Sequence, residues 1–180
     1  MSGRVVAVAR DQEHHFSKKP VHVIKVIAGL GVEGDAHQGM SVKHRSRVAV
    51  DPGQPNLRQV HLIQSELFDE LAENGFEVGP AQLGENITTA GLDLLALPTG
   101  ALLHVGSSVV LEITGLRNPC AQIENFQPGL LAAVVGRGPQ NEVIRKAGVM
   151  AIARTGGDVR PSDKITVDLP PLPHRPLERV

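Results

Sequence analysis

Short runs in which apolar and polar residues alternate dominate this chain, and that period predicts strands. Arg4 to Ala9 opens the series, with β-branched Val5, Val6 and Val8. Val21 to Ile27, Gln59 to Ile63 and Ile87 to Thr89 continue it. Ala101 to Val105 and Ser108 to Thr114 form a pair about Gly106, and Gly148 to Ala153 and Asp163 to Asp168 close the series. Helical spacing is rarer. Leu67, Phe68 and Leu71 make an apolar stripe between a Ser65 N-cap and an Asn74-Gly75 stop, best read as core packing. Pro128 to Gly136 predicts a second short helix, begun at its proline and ended at its glycine. Many short strands, frequent glycine turns and few helices predict a mainly β fold, a closed or nearly closed β-barrel with short peripheral helices.

The segments between these elements carry the polar chemistry. Asp11 to Pro20 holds His14-His15, but neighbours in an extended chain point apart, so a solvated loop is the better reading than a metal pair. Ala28 to Gly39 contains Gly29, Gly31, Gly34 and Gly39, which predicts left-handed turns and a loop able to bring N–H groups to an oxyanion. The first three glycines have G-x-G-x-x-G spacing, but Asp35-Ala36-His37-Gln38-Gly39 does not open a crossover helix, so no dinucleotide fingerprint follows. No Gly-Lys-Ser/Thr follows either, which excludes a phosphate-binding Walker loop. Glu33, Asp35 and His37 alternate. Two readings stay open: a shared metal-binding face, or carboxylates bonded to the loop's own N–H groups. Met40 to Arg58 is a long excursion with the basic cluster Lys43, His44, Arg45 and Arg47, either a phosphate contact or a solvated run. The proline-rich stretch 169–180 is expected to be a loosely packed tail after a single domain of 1–168.

Composition narrows the function classes. A chain of 180 residues can bury one sizeable core. Its net charge of −1 gives no general attraction to nucleic acid or acidic membranes, and with no Trp or Tyr and only four Phe a base-stacking platform is not expected. No apolar run approaches the roughly 20 residues that cross a bilayer. Met1 to Arg10 lacks a signal-peptide core, and one cysteine fits a reducing compartment, so the expected location is the cytoplasm.

That cysteine is the focus. Cys120 lies in Gly115-Leu116-Arg117-Asn118-Pro119-Cys120-Ala121-Gln122, directly after the most strongly β-patterned run. A sole thiol excludes an internal disulfide and leaves either an inert buried residue or a thiolate used in chemistry. Pro119 ends the strand and puts Cys120 at a strand-to-loop junction, a position where functional side chains gather. Arg117 would supply a cation if it lies beside the sulfur.

Four motifs, taken in order, resemble one family. They are Gly-Val-Glu-Gly-Asp-x-His at 31–37, Gly-Glu-Asn-Ile-Thr at 84–88 with Gly91-Leu92, Arg-Asn-Pro-Cys at 117–120, and Gly148-Val-Met with Gly157-Asp158. Together they resemble a stand-alone MOSC domain, named after the C-terminal part of molybdenum cofactor sulfurase. The resemblance implies a β-barrel in which Cys120 is the working residue, and it offers two roles. In one, the Cys120 thiolate ligates molybdenum of a bound molybdopterin cofactor and the protein reduces N-hydroxylated or N-oxide compounds. In the other, a pyridoxal-phosphate-dependent cysteine desulfurase loads Cys120 with a persulfide for delivery to a metal centre. Pyridoxal phosphate would then sit on the partner. A chain this poor in cysteine cannot hold an iron–sulfur cluster, so the reductase role needs a separate redox donor protein. A non-catalytic ligand-binding barrel is the third possibility. Around the cofactor or small-molecule substrate the resemblance suggests Arg117, Arg45 and Arg47 for phosphate, Asn86 and Glu85 beside the thiolate, and the loop residues Gly31, Glu33, Gly34, Asp35 and His37.

Overall fold

A computed structural model describes residues 1–41 and 53–180. Seven strands close on themselves: β1 (Ser2–Arg10), β13 (Lys164–Asp168), β7 (Leu102–Val105), β8 (Val109–Leu116), β11 (Val149–Thr155), β5 (Val60–Gln64) and β6 (Ile87–Ala90), which returns to β1. Closure removes the exposed strand edges that an open sheet would present. Every neighbour pair in the ring is antiparallel except β5 and β6, which run parallel with Leu62 opposite Ile87.

Strict alternation makes β8 a barrel stave. Val109, Leu111 and Ile113 face inward and are buried, Gly115 is buried under Glu178 of the C-terminal stretch, and Val110, Glu112, Thr114 and Leu116 are half-buried. The barrel interior is aliphatic, filled by residues such as Val5, Leu62, Ile87, Leu103, Leu111, Val149 and Ile165. At ~25 cal/mol for each Å² of apolar surface removed from water, this layer dominates the fold's stability.

A second core lies outside the barrel wall. Ile63 of β5 packs with Leu67, Phe68 and Leu71 of α1 (Glu66–Glu73), with Ile123 of α2 (Ala121–Phe126), and with Leu130 and Val134 of α3 (Leu130–Val134). Ser65 occupies the α1 N-cap, but its hydroxyl makes no capping bond; Gly75 turns left-handed just past the helix, as the sequence predicts.

Four differences from the sequence reading have physical causes. The run 21–27 is two strands, β2 (Lys19–Val21) on β1 and β3 (Ile24–Ile27) in a separate three-stranded sheet, because the chain bends at His22. That small sheet adds β4 (Gly31–Val32) and β12 (Gly157–Val159). Gly31 is needed there: it has φ +94°, and a Cβ would meet the Gln59 carbonyl oxygen at 2.6 Å. A hairpin of β9 (Val135–Arg137) and β10 (Val143–Arg145) follows α3. The C-terminal stretch is no loose tail. Thr99 N–H donates to Arg175 O at 2.9 Å, Leu116 N–H to Glu178 O at 2.7 Å, and Leu177 packs on the barrel core. Proline-rich chain is already extended, so it lies against a strand end with little further loss of freedom.

Among the described residues no helix is long and apolar enough to cross a membrane.

Candidate functional site

One end of the barrel gathers the ends of β1 and β8 with the starts of β5, β6 and β11. A cavity of about 280 Å³ opens there, lined by Cys120 and Arg117, by Lys18 and Arg58, by His37 and His61, and by Asn86, Asn118, Gln122, Phe16, His15, Gly84 and Met150.

Cys120 is set by the elements on each side of it. β8 ends at Leu116, and Arg117 N–H still donates to Gly148 O, just before β11, at 3.0 Å. Cys120 then takes the N-cap position of α2 with extended φ −130° and ψ 169°, and its carbonyl accepts from Ile123 N–H. Ile123 is fully buried in the second core, which pins α2 and therefore the thiol at the cavity wall. Cys120 is half-buried, and its Sγ lies 3.6 Å from the Gln122 carboxamide oxygen.

Arg117 lies over the Phe16 ring, with its Cζ 5.8 Å from the centroid. Its Nη1 is buried without a hydrogen-bond partner. Burial lowers its pKa, opposed by its coupling to Cys120 and Glu85. A buried guanidinium nitrogen with no hydrogen bond among the described residues is costly, and it leaves Arg117 Nη1 able to donate to an anion.

A largely buried polar cluster reaches the cavity wall through Lys18, Asn86 and His37. Asp35 Oδ2 accepts from Lys18 Nζ at 2.7 Å and from Asn86 Nδ2 at 3.0 Å, and Oδ1 accepts from His37 N–H at 3.0 Å. Burial alone would raise the Asp35 pKa; the His37 bond and the Lys18 charge outweigh it and hold the carboxyl far below its usual range. Lys18 is itself lowered by burial, with Asp35 opposing. Asn86 ties the cluster to β5, because its Oδ1 accepts from His61 N–H at 3.1 Å.

His61 is neutral. Burial pushes its pKa well below 6.5, and the Arg117 charge pushes the same way. Its Nε2–H donates to Ala147 O at 2.8 Å. Glu85 is fully buried behind the cavity, where its Oε1 accepts from Ala81 N–H at 2.6 Å and Thr88 Oγ1 at 3.0 Å; burial raises its pKa.

The structure therefore brings Cys120, Arg117, Asn86 and His37 to the cavity wall and sets Asp35 and Glu85 just behind it. Gly31, Glu33 and Gly34 stand apart. Glu33 is exposed, with its carboxylate 3.8 Å from Lys25, and Gly31 packs on Gln59. Alternation fails as a metal signal here because Glu33 turns out to solvent while Asp35 and His37 contact each other, His37 Nδ1 lying 3.2 Å from Asp35 Oδ1. No group of three potential metal ligands exists among the described residues. The glycine loop's N–H groups are also spent internally: Gly34 N–H donates to Gln38 Oε1 and Gly39 N–H to Leu30 O. Of the two readings of the loop carboxylates, the structure shows Asp35 bonding to loop N–H groups. Arg45 and Arg47 lie outside the described residues. Sequence reading missed Lys18, Arg58, His61 and Phe16. None sits in a local motif, and only the pairing of β5 with β6 and the loop after β1 bring them together.

The model of the MOSC domain matches residues 11–166, a span that includes the cavity's Phe16, His61, Asn86, Arg117 and Cys120. The chain is a MOSC-domain protein. Its fold is similar to the crystal structure of the YuaD protein from Bacillus subtilis, with 26% identity over 93% of this chain and 96% of that one, and a TM-score of 0.76. YiiM from Geobacillus stearothermophilus shares the fold at 17% identity over 92% of this chain and 73% of that one, with a TM-score of 0.58. YiiM from Escherichia coli does so at 17% identity over 93% and 71%, with a TM-score of 0.60. No curated protein matches this MOSC domain.

Proposed function

We propose that this MOSC domain binds a molybdopterin-type cofactor through the Cys120 thiolate and serves as a reductase of N-hydroxylated or N-oxide compounds, fed by a separate electron donor. The observation that carries the reading is a lone half-buried cysteine in the same cavity as a guanidinium that has a buried, unpaired nitrogen. The donor set fits the group. A single soft sulfur is what a metal already held by a dithiolene asks of the protein, and Cys120 lines the cavity with one. Cys120 would supply the sulfur, Arg117 and Arg58 the cations, and the Asn118 and Gln122 amides the hydrogen-bonding edge. When bound, the cofactor supplies two-electron oxygen-atom chemistry.

The chain's own residues orient and shield. Neutral His61 holds the cavity floor to Ala147 without adding a charge. The Lys18–Asp35–Asn86 cluster, hydrogen-bonded within itself, fixes part of the cavity wall. Phe16 covers one face of Arg117 and keeps water from it.

The test is elemental analysis of protein made in a cofactor-competent host. One molybdenum per chain in the wild type and none in Cys120→Ser is expected; metal-free wild type would sink the reading. The sulfur-carrier alternative is favoured by Cys120 being only half-buried, since a persulfide must be reached from outside. It predicts a mass gain of one sulfur atom on Cys120 after incubation with a cysteine desulfurase and cysteine.

A further inference from the structure

Three histidines line the thiol cavity, His15, His37 and His61, and two of them have their ring nitrogens committed. His15 Nδ1 faces Asp11 Oδ2 and its Nε2 faces Glu13 Oε2, each at 3.1 Å. His61 is buried between the Ala147 and Gly84 backbones, with Nε2 on Ala147 O at 2.8 Å. His37 is different. Its Nδ1 lies 3.2 Å from Asp35 Oδ1, and its Nε2 makes no hydrogen bond among the described residues. The Asp35 side chain is 0% exposed while the imidazole is 31% exposed, so the ring turns one edge to the buried carboxylate and keeps the other open.

The partner decides the tautomer. Asp35 Oδ1 also accepts from His37 N–H, and Oδ2 accepts from Lys18 Nζ, Asn86 Nδ2 and Asp11 N–H. These donors keep the carboxyl ionised, and an ionised carboxylate can only accept, so Nδ1 carries the ring proton that points at it. Nε2 is left as the atom that gains and loses a proton, and the carboxylate behind the ring steadies the imidazolium. The charged and titratable neighbours of the ring among the described residues are Asp35, Lys18 beyond it, and the exposed His14, edge-on with centroids 5.5 Å apart. Across the cavity, Lys18 is bonded to Asp35, and the guanidiniums of Arg58 and Arg117 do not act as proton donors to a reaction. Cleavage of an N-hydroxylated compound takes two electrons from the separate donor and two protons, breaks the N–O bond, and leaves an amine and water. We propose that His37 is the catalytic acid of this cavity: its Nε2 gives one proton to the departing oxygen, which leaves as water. Solvent protonates the nitrogen and then restores the ring.

The proposal rests on the reductase reading above, and its test separates the two. Wild type and His37→Gln are made in a cofactor-competent host and given phenylhydroxylamine with reduced methyl viologen as the electron source. Molybdenum content should match, while kcat for aniline formation falls about 100-fold in the variant with KM little changed. The wild-type kcat should decline as rising pH removes the imidazolium, and the variant should lack that decline. Added imidazole should restore part of the rate to His37→Ala, whose shortened side chain leaves room for a free ring. Unchanged turnover in His37→Gln would overturn the proposal. Loss of molybdenum together with turnover would also overturn it, by making His37 a support of the cofactor. A second readout needs neither metal nor substrate. The nitrogen-15 spectrum of the metal-free protein in mild alkali, with His37 assigned by its absence from the variant, should show the Nδ1–H form; an Nε2–H form would overturn the proposal even in an active enzyme. Wild type without molybdenum overturns the reductase reading and this step with it, so the metal content tells the two failures apart.

Discussion

Asp35 Oδ2 and Lys18 Nζ are 2.7 Å apart with both side chains buried beside the thiol cavity. Removing one partner strands the other as an uncompensated buried charge. Asp35→Asn is expected to cost about 3–5 kcal/mol, and a double-mutant cycle with Lys18→Met should show strong coupling. The pH dependence follows from the sign of the shift. Asp35 is held below its ordinary 3.8, so its contribution is complete above that value and fades as pH falls beneath it. Urea midpoints of wild type and Asp35→Asn should therefore converge in acid and separate near neutrality. A constant gap would refute the account.

His61 titrates the other way round. Its folded-state pKa lies well below 6.5, so on acidification the unfolded chain takes up a proton that the folded chain refuses. Stability is full above 6.5 and drops below it by up to about 1.4 kcal/mol per pH unit. His61→Gln, which keeps a donor for Ala147 O, should remove this slope between pH 6.5 and 5 in thermal unfolding. An unchanged slope in the variant would assign the acid sensitivity elsewhere.

Arg117 should be a residue that function retains at some cost to stability. Its buried Nη1 makes no bond, and its stacking on Phe16 returns only part of the desolvation. Arg117→Met is expected to leave the fold as stable or about 1–2 kcal/mol more so. The same variant should lose molybdenum when made in the cofactor-competent host. A clear destabilisation would show that the guanidinium is structural.

The C-terminal strap should be worth a measurable share of stability. Ending the chain at residue 174 removes the bonds at Thr99 and Leu116 and uncovers the core beside Leu177, which predicts a loss of about 2–4 kcal/mol by denaturant titration. Gly115→Ala should act like a partial truncation. Its added Cβ would meet Glu178 O at 2.3 Å and push the strap away from β8. Proteolysis confined to residues beyond 174 would report that release.

The barrel was legible where side-chain period and burial coincide. In β8 every second residue is buried, so alternation alone locates the strand; in α1 Leu67, Phe68 and Leu71 do the same at helical spacing. α2 was not legible because Ile123 is its only buried residue, too little for any period. At the site, Cys120 and Arg117 stood out because they are unusual in a local motif. Lys18 and His61 did not, since their chemistry comes from partners 17 and 86 residues away. The glycine loop misled in part. Its turns are as expected, but whether its N–H groups face a ligand or one another depends on the tertiary fold.

The parallel pairing of β5 with β6 has a consequence for the site. A hairpin cannot make it, so the crossover through α1 is what lets the two strands lie side by side. Their pairing joins His61 to Asn86 and, through Asn86, anchors the Asp35 carboxylate beside the thiol cavity. A helix that lines no part of that cavity therefore sets the spacing of the groups that do.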